Sequence, residues 1–521
     1  MNSKFETYSS VLFSILAGKP GDTNFISSLL EKVTSPRYLI KGDVSGIQNF
    51  IFTIPSEKAS RELKARSEYI KKYTEKWLNE VLKITSEYEI LTRGGGNFYV
   101  FGRVNDEHLL INLEKKICKN SPEGIYLTLS WVKADNLQEV ENIRIMLEKE
   151  SSIKKMRKYY GMTEFFEPVN SAKPVMIHEK ETFSTAGIPE WDDNLINKYS
   201  ELKKKYKKDS DSETYDTDEK PEKGYIISFK FLADFAGFRT GTKKIAVLKM
   251  DVDNLGRLFS QLRDFGQIKK VSESLDYFFS EYLYNLLNEK ISFKYAGEKL
   301  PDEFMLFFNN IYTVYSGGDD CFFVGAWDAI LEFAHLIRER MRNFIREDEL
   351  DVDVPRITLS ASVQIYSPNY PVFRFAEEAD ENLHAAKYSA GGLKDKIYLM
   401  GEIFTWEEFA QIIDLKNKLY ELIAFRNESR AILERIKMSG EKFSKDQADV
   451  IKGGYELPRT WRMHYSIARN IKPENREFAV KYILPVYESN LLRAYFEKKV
   501  LSAMIFPVSA RYAELLTRNI K

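Results

Sequence analysis

The sequence predicts an α+β protein in which one ferredoxin-like βαββαβ unit occurs twice, followed by a helical region. Three motif pairs recur in the same order: KGDVS (41–45) with KMDVD (249–253), RGGGNFYV (93–100) with SGGDDCFFV (316–324), and TLS (128–130) with TLS (358–360). Apolar spacing around these motifs gives the order strand, helix, hairpin, helix and strand in both copies. From Trp406 onward the spacing is helical almost throughout, which predicts an all-α domain at 406–521.

The first copy is expected within residues 1–150. Residues 1–36 are predicted to form a short helical lead-in, and a strand begins at Tyr38. The elements predicted after that strand are a helix at 58–82, a glycine-turn hairpin at 90–101, a strand at 125–132 and a helix at 137–149.

The region between the copies, 151–235, is less regular and is predicted to be a linker domain. Its segment 201–223 is a basic block followed by an acidic block, with almost no apolar residues. A segment of this composition cannot bury enough apolar surface to fold, so we expect an exposed, disordered loop there.

The second copy is expected at 236–405. The run from Ile245 to Met250 is largely apolar, as in a buried central strand, and a hairpin follows at 312–324. The elements predicted beyond the hairpin are a helix at 326–344, a strand at 357–365, a helix at 373–390 and a strand at 396–400.

Bulk properties exclude several classes of protein. The chain has 521 residues, with 77 basic and 77 acidic side chains, so no overall field attracts it to nucleic acid. Its two cysteines, Cys118 and Cys321, are too few for a disulfide framework or a four-cysteine zinc site, and we expect no zinc. No signal peptide or membrane span is evident in the sequence, which indicates a cytoplasmic protein that does not contact a membrane.

Two groups of acidic residues are the candidate site. Asp319 and Asp320 follow the glycines of the predicted hairpin, whose tight turn we assign to Gly317 and Gly318. Carboxylates held together at a rigid turn repel each other, and a divalent cation such as Mg²⁺ relieves that repulsion. The alternative is an ordinary solvated turn.

The end of the predicted central strand supplies the second group. Asp251 and Asp253 directly follow the apolar run, and buried acids are costly without a partner. If this strand lies beside the hairpin, Asp251 and Asp319 share one metal-binding edge. The alternative, that the segment 251–254 only caps the next helix, explains one acid and not the set.

The first copy lacks the acids at the corresponding positions. Gly96 and Asn97 stand where the second copy has Asp319 and Asp320, and Ser45 stands where it has Asp253. The first copy is therefore expected to be a structural partner or a nucleotide-binding wall.

Together, GDVSGIQNFIF (42–52), SGGDD (316–320) and the loss of acids from one copy resemble the large subunit of type III CRISPR effector complexes, the Csm-type member of the Cas-ten family. The resemblance runs from about residue 38 to residue 405 by motif and to the end of the chain by architecture. A more distant similarity is to GGDEF nucleotide cyclases, in which DVDNL (251–255) and LHAAK (383–387) match the metal-binding strand end and a phosphate-binding lysine.

The resemblance implies two palm domains, a degenerate GGGN copy and a catalytic GGDD copy, with an inter-palm linker domain and an all-α C-terminal domain. It implies synthesis of cyclic oligoadenylates from ATP, with release of pyrophosphate, when a complex of several subunits and a guide RNA binds target RNA in antiviral defence. The implied site residues are Asp319 and Asp320 as catalytic groups, these two with Asp251 and Asp253 as ligands of Mg²⁺ or Mn²⁺, and Ser316, Gly317, Gly318, Asn254 and Lys387 as nucleotide-binding residues.

Two departures from the family pattern matter. None of the five histidines is followed by aspartate, and the first palm strand begins by residue 38, so we expect no HD nuclease domain and no DNase activity. The cysteine-rich zinc element that the family often carries is also not expected. The alternatives to the synthase are a catalytically silent scaffold subunit and a GGDEF-like cyclase that makes another product.

Overall fold

The computed structural model of the protein describes residues 36–54, 59–122, 124–134, 140–156, 187–208, 220–261, 265–296, 299–347, 357–389, 394–444, 461–496 and 500–520. The predicted helical lead-in, up to residue 35, lies outside the described residues. So do residues 209–219 of the predicted charged loop.

The first unit is a four-stranded sheet with helices. Its elements are β1 (Arg37–Ser45), α1 (Ile47–Phe52), α2 (Ala59–Ile84), β2 (Ser86–Gly94), β3 (Asn97–Arg103), α3 (Glu107–Lys119), β4 (Tyr126–Lys133) and α4 (Val140–Met156). The strands are antiparallel to their neighbours in the order β2-β3-β1-β4. Long α2 forms because Leu63, Ile70, Trp77 and Val81 recur on one helical face, and all four are buried.

Two helices are described between the sheets, α5 (Asp193–Lys208) and α6 (Phe229–Thr240). The prediction of a disordered loop is wrong for residues 201–208, which continue α5. Tyr199, Leu202 and Tyr206 recur at helical spacing and pack on apolar core residues. The Tyr206 hydroxyl also donates to the carbonyl of Phe238 at 2.8 Å, so the charged residues between these contacts are carried on an anchored helix.

The second unit is a six-stranded sheet that repeats and extends the first. Its strand order is β10-β9-β8-β5-β7-β6, and only β8 and β9 run parallel. Its elements are β5 (Ile245–Val252), α7 (Leu255–Gln261), α8 (Phe265–Tyr277), a π-helical turn (Phe278–Tyr282), α9 (Leu283–Leu286), a 3₁₀ turn (Asp302–Met305), α10 (Phe307–Asn310), β6 (Ile311–Gly317), β7 (Asp320–Ala326), α11 (Trp327–Glu347), β8 (Leu359–Tyr366), α12 (Val372–Tyr388), β9 (Lys396–Leu399) and β10 (Glu402–Thr405).

The two units contribute jointly to two apolar core clusters. The rings of Phe52 in α1 and Phe322 in β7 have centroids 4.7 Å apart. Tyr312 of β6 is fully buried, and its hydroxyl donates to the carbonyl of Ser60 and accepts from the backbone N–H of Lys64, both in α2. These contacts hold the two sheets, and therefore their hairpins, in a fixed relation.

The chain continues in helices that partly belong to the second unit. They are α13 (Trp406–Ala424), α14 (Ala431–Ser444), α15 (Trp461–Asn470), α16 (Pro473–Tyr482), α17 (Leu484–Phe496) and α18 (Val500–Leu516). Lys416 of α13 is fully buried and ion-paired with Glu332 of α11, whose carboxylate also accepts the hydroxyl of Tyr512 in α18 at 3.1 Å. A buried charge is costly to leave unpaired, so this pair fixes α13 and α18 to the second unit. Within the described ranges, no helix combines the length and apolarity needed to cross a membrane.

Candidate active site between two hairpins

The second hairpin turns at Gly318 and Asp319. Gly317 is the last residue of β6 and pairs with Asp320, the first residue of β7. The turn assigned from sequence to Gly317 and Gly318 is therefore one residue early. Both glycines have positive φ, 155° and 68°, so glycine content alone does not locate the turn.

The prediction that the central strand lies beside this hairpin is confirmed. β5 pairs with β7, and Asp251 stands directly opposite Asp320. Side chains opposite each other on neighbouring antiparallel strands lie on the same face of the sheet, so these two carboxylates face each other. Asp319, one residue away in the turn, is close enough to both for their charges to interact.

Burial and mutual repulsion make the hairpin acids reluctant to ionise. Burial, together with the charge of Asp251, raises the pKa of Asp319 to about 6. Burial, together with the charge of Asp319, raises the pKa of Asp320 to about 7. Near neutral pH these carboxylates are therefore poised to exchange a proton for another cation.

Helix α12 brings opposite charge to this edge. Lys387, in its last turn, donates to Oδ1 of Asp251. Lys249 lies two residues before Asp251 on β5 and pairs with Asp380 of α12. Burial lowers the pKa of Lys249, and the charges of Asp320 and Asp251 oppose that effect. The structure thus joins Asp251, Asp319, Asp320 and Lys387 at one edge.

Asp253 is turned away from the hairpin. Its side chain is only 4% exposed, and its oxygens accept from the hydroxyls of Thr358 and Ser360 at 2.9 and 2.7 Å. The backbone N–H of Asp395 also donates to it at 2.9 Å. Three donors on one carboxylate make Asp253 a brace between β5 and β8.

The other two predicted nucleotide-binding side chains have different positions. The Ser316 hydroxyl donates to the backbone carbonyl of Phe279. Asn254 is exposed, with φ of 55°, and its carbonyl accepts the N–H of Leu258 at 2.8 Å to begin α7. Asparagine tolerates this left-handed conformation better than most residues do.

The first hairpin reproduces the backbone of the second without its acids. Asp43 pairs with Asn97 in the same register in which Asp251 pairs with Asp320. Asp43 contacts the Nζ atoms of Lys41 at 3.2 Å and Lys155 at 2.6 Å. Lys155 near the end of α4 thus corresponds to Lys387 near the end of α12. Sequence reasoning missed it by ending this helix at 149, although the internal repeat was a signal that could have found it.

A cavity of about 760 Å³ lies between the hairpins. Its wall on the first unit carries three cations, Lys41, Arg93 and Arg144, and one acid, Glu148, which pairs with Lys41 at 2.8 Å. Its wall on the second unit includes Gly318 and Asp319. Its volume falls in the usual range of small-molecule sites. Cations on one wall and a carboxylate-bearing turn on the other suit an anionic ligand that is accompanied by a metal ion.

The acids at this edge have the chemistry for such an ion. Within the described ranges, no three His, Cys, Asp or Glu side chains already stand in a metal-binding arrangement. Asp251, Asp319 and Asp320 nevertheless offer hard oxygen donors, and the raised pKa values of the last two express repulsion that a divalent cation relieves. The donor set fits Mg²⁺ or Mn²⁺.

Two family models match the two units. The second palm domain of Cas10/Cmr2 matches residues 244–398, and domain B of the Csm1 subunit matches residues 36–171. The matched ranges hold the GGDD and the GGGN hairpins, respectively.

Curated relatives carry the name CRISPR system single-strand-specific deoxyribonuclease Cas10/Csm1 of subtype III-A. The protein from Methanocaldococcus jannaschii is 29% identical over 463 residues, which is 67% of this chain and 56% of that protein. The protein from Streptococcus thermophilus is 22% identical over 497 residues, which is 80% of this chain and 61% of that protein. The chain therefore spans little more than half the length of these relatives.

Solved structures share the fold. A Csm1–Csm4 cassette in complex with cA4 superposes with a TM-score of 0.60 at 17% identity, covering 93% of this chain and 71% of that one. A cassette in complex with one ATP gives 0.61 at 19% identity, covering 93% and 70%. Csm1 from T. onnurineus gives 0.61 at 18% identity, with the same coverage. From the two matched domains and the curated relatives, the chain belongs to the Cas10/Csm1 family of subtype III-A CRISPR systems.

Proposed function

We propose that the protein synthesises cyclic oligoadenylates from ATP, with release of pyrophosphate, when its complex binds target RNA. The observation that carries the proposal is the placement of Asp251 opposite Asp320, with Asp319 on the wall of a cavity whose other wall is basic. This arrangement suits phosphoryl transfer, in which positioning and charge neutralisation do most of the work.

The chain's own residues have distinct roles in this proposal. Asp251, Asp319 and Asp320 would hold Mg²⁺ or Mn²⁺, which would supply charge neutralisation at the reacting phosphate. Lys387, which is bound to Asp251 in this structure, would contact triphosphate oxygens as a point charge, and the glycines of the turn would allow backbone to approach the nucleotide. Asp253 supports the edge through its three internal hydrogen bonds and is not a direct ligand.

The assembly and the domain division are part of the same proposal. We assign both units to the ferredoxin-like palm class, on the strand order of the first sheet and its repetition in the second. The palms would lie at 1–150 and 236–405, with linker and helical domains at 151–235 and 406–521. The partners would be other type III subunits, including one like the Csm4 of the solved cassettes, together with guide RNA and target RNA.

Two other functions stand as alternatives to this proposal, DNA cleavage and a scaffold role. The names of the relatives attribute single-strand-specific DNA cleavage to those proteins. We do not assign it to this chain, because no histidine is followed by aspartate in the sequence. A scaffold role fits the apolar packing between the palms. It does not explain why the second hairpin keeps acids that repel each other.

The test is to reconstitute the chain with its partner subunits and guide RNA, and to incubate the complex with ATP and Mg²⁺. We expect mass spectrometry to find cyclic oligoadenylates only when target RNA is added. A complex that binds target RNA yet leaves ATP unchanged would establish the scaffold function instead. Conversion of another nucleotide in preference to ATP would favour a cyclase with a different product.

A further inference from the structure

The turn that bears Asp319 is held by the end of helix α8. Oδ1 of Asp276, in the last turn of α8, accepts the backbone N–H of Gly318 at 3.0 Å. Three residues later, the carbonyl of Phe279 accepts the hydroxyl of Ser316. Two hydrogen bonds from one short segment thus reach residues on either side of Gly317.

The N–H of Gly318 requires a partner from outside the hairpin. In a two-residue hairpin turn the ladder ends at the flanking pair, here Gly317 and Asp320, so the first residue of the turn has no cross-strand acceptor. The N–H is partly buried, and leaving such a donor unpaired costs free energy. Asp276 supplies the acceptor, and because it is a carboxylate the bond is charge-assisted.

Asp276 also lies where the two glycine turns meet. A Cβ added to Gly318 would lie 3.6 Å from the backbone nitrogen of Gly95. One added to Gly94 would lie 3.4 Å from Oδ1 of Asp276 and 3.6 Å from the Cα of Gly318. The two turns therefore approach so closely that one added carbon would bring them into van der Waals contact, with the Asp276 carboxylate beside the junction.

Helix α8 contacts the first unit and also lines the cavity. Lys269 contacts Glu89 of β2 at 3.2 Å, and Ile268 and Leu275 line the cavity wall. After Tyr277 the helix passes into the π-helical turn Phe278–Tyr282, a local irregularity often found at functional sites. Helix α8 therefore connects the first sheet, through Lys269, to the Gly318–Asp319 turn, through Asp276.

We propose that Asp276 is a positioning residue, which fixes the Gly318–Asp319 turn against the glycine turn of the first palm and so sets Asp319 at the cavity wall. The catalytic consequence rests on the proposed function, whereas the contact itself does not. Asp276 acts through its oxygen acceptor on Gly318, and not through its charge on a metal ion.

Three variants separate these roles. Asp276→Ala removes the acceptor, and Asp276→Asn keeps an oxygen acceptor in the same place but removes the charge. Glu273→Ala is the matched control, since Glu273 is an exposed acid one turn earlier on the same helix. Each is measured in the reconstituted complex with ATP, target RNA and a titration of Mg²⁺, alongside amide hydrogen exchange of the peptide 315–322.

We expect Asp276→Ala to raise the Mg²⁺ concentration for half-maximal turnover by about tenfold, the effect of losing one charge-assisted hydrogen bond. Its hairpin peptide should exchange faster, and Glu273→Ala should stay close to the parent protein in both measurements. Asp276→Asn, which keeps a neutral hydrogen bond in place of the charge-assisted one, should fall between the two, within about threefold of the parent protein. The proposal is overturned if Asp276→Ala behaves as Glu273→Ala does, or if Asp276→Asn is impaired as severely as Asp276→Ala. If the parent complex makes no product, the proposed function fails, and the exchange rates alone decide whether Asp276 holds the turn.

Discussion

The two hairpins have the same backbone pairing and opposite electrostatic conditions. In the first, Asp43 stands opposite neutral Asn97 and contacts both Lys41 and Lys155. In the second, Asp251 stands opposite Asp320 with Asp319 nearby, and Lys387 is the cation bound to Asp251. The charge of Asp43 is neutralised by lysines of the protein, whereas the acids around Asp251 outnumber the lysine bound there. The comparison teaches that unbalanced charge, and not the glycine turn, distinguishes the site proposed to bind metal.

The strongest test of this difference removes the excess acids. Asp319→Ala combined with Asp320→Ala should lower nucleotide synthesis at least about a hundredfold, because the proposed metal ligands are lost. Asn97→Ala, at the corresponding position of the first hairpin, should stay within about threefold of the parent, because it supplies no charge. Product formation per complex, with assembly checked by size-exclusion chromatography, is the measurement. Equal losses in the two hairpins would show that both palms carry the chemistry.

A second test compares the two helix-end lysines. Lys387→Ala should raise the KM for ATP by about tenfold, because a charged contact to the triphosphate is lost. Lys155→Ala should change it by no more than about twofold, since Lys41 still neutralises Asp43. Initial rates over a range of ATP concentrations give both values. A larger effect of Lys155→Ala would place triphosphate on the first palm instead.

The smallest expected effect concerns stability. Asp253→Ala leaves the hydroxyls of Thr358 and Ser360 and the N–H of Asp395 without their acceptor, so it should lower the free energy of unfolding by about 2 kcal/mol. Ser45→Ala, at the matching position of the first copy, should lower it by less than about 0.5 kcal/mol. Urea unfolding of the full chain, followed by tryptophan fluorescence, compares the two. Similar values would mean that Asp253 is not a brace.

The parts of the fold that could be predicted are those fixed by local pattern. The apolar run ending in acids gave β5, and the glycines flanked by apolar residues gave the hairpin, so their pairing followed from the repeat. The register of the turn could not be read the same way, because Gly317 and Gly318 are equally permissive and only the cross-strand pairing distinguishes them.

Contacts between distant segments were beyond the sequence. Asp276 reaches Gly318 across 42 positions, and nothing in the composition of α8 marks that residue among its neighbours. The helix at 201–208 was missed for another reason, since the many lysines there obscured the spacing of Leu202 and Tyr206. The hydrogen bonds that Asp253 accepts from Thr358 and Ser360 likewise depend on the tertiary structure.

The buried pair of Lys416 and Glu332 has a consequence for how this protein changes over evolutionary time. Glu332 and Tyr512 are 180 positions apart, yet they share one hydrogen bond in the same buried cluster. Recombination that separates α11 from α13 would leave Lys416 or Glu332 without its partner in an apolar interior. Exchange of α18 would remove the hydroxyl that the Glu332 carboxylate accepts. Helices α11, α13 and α18 are therefore expected to be inherited together.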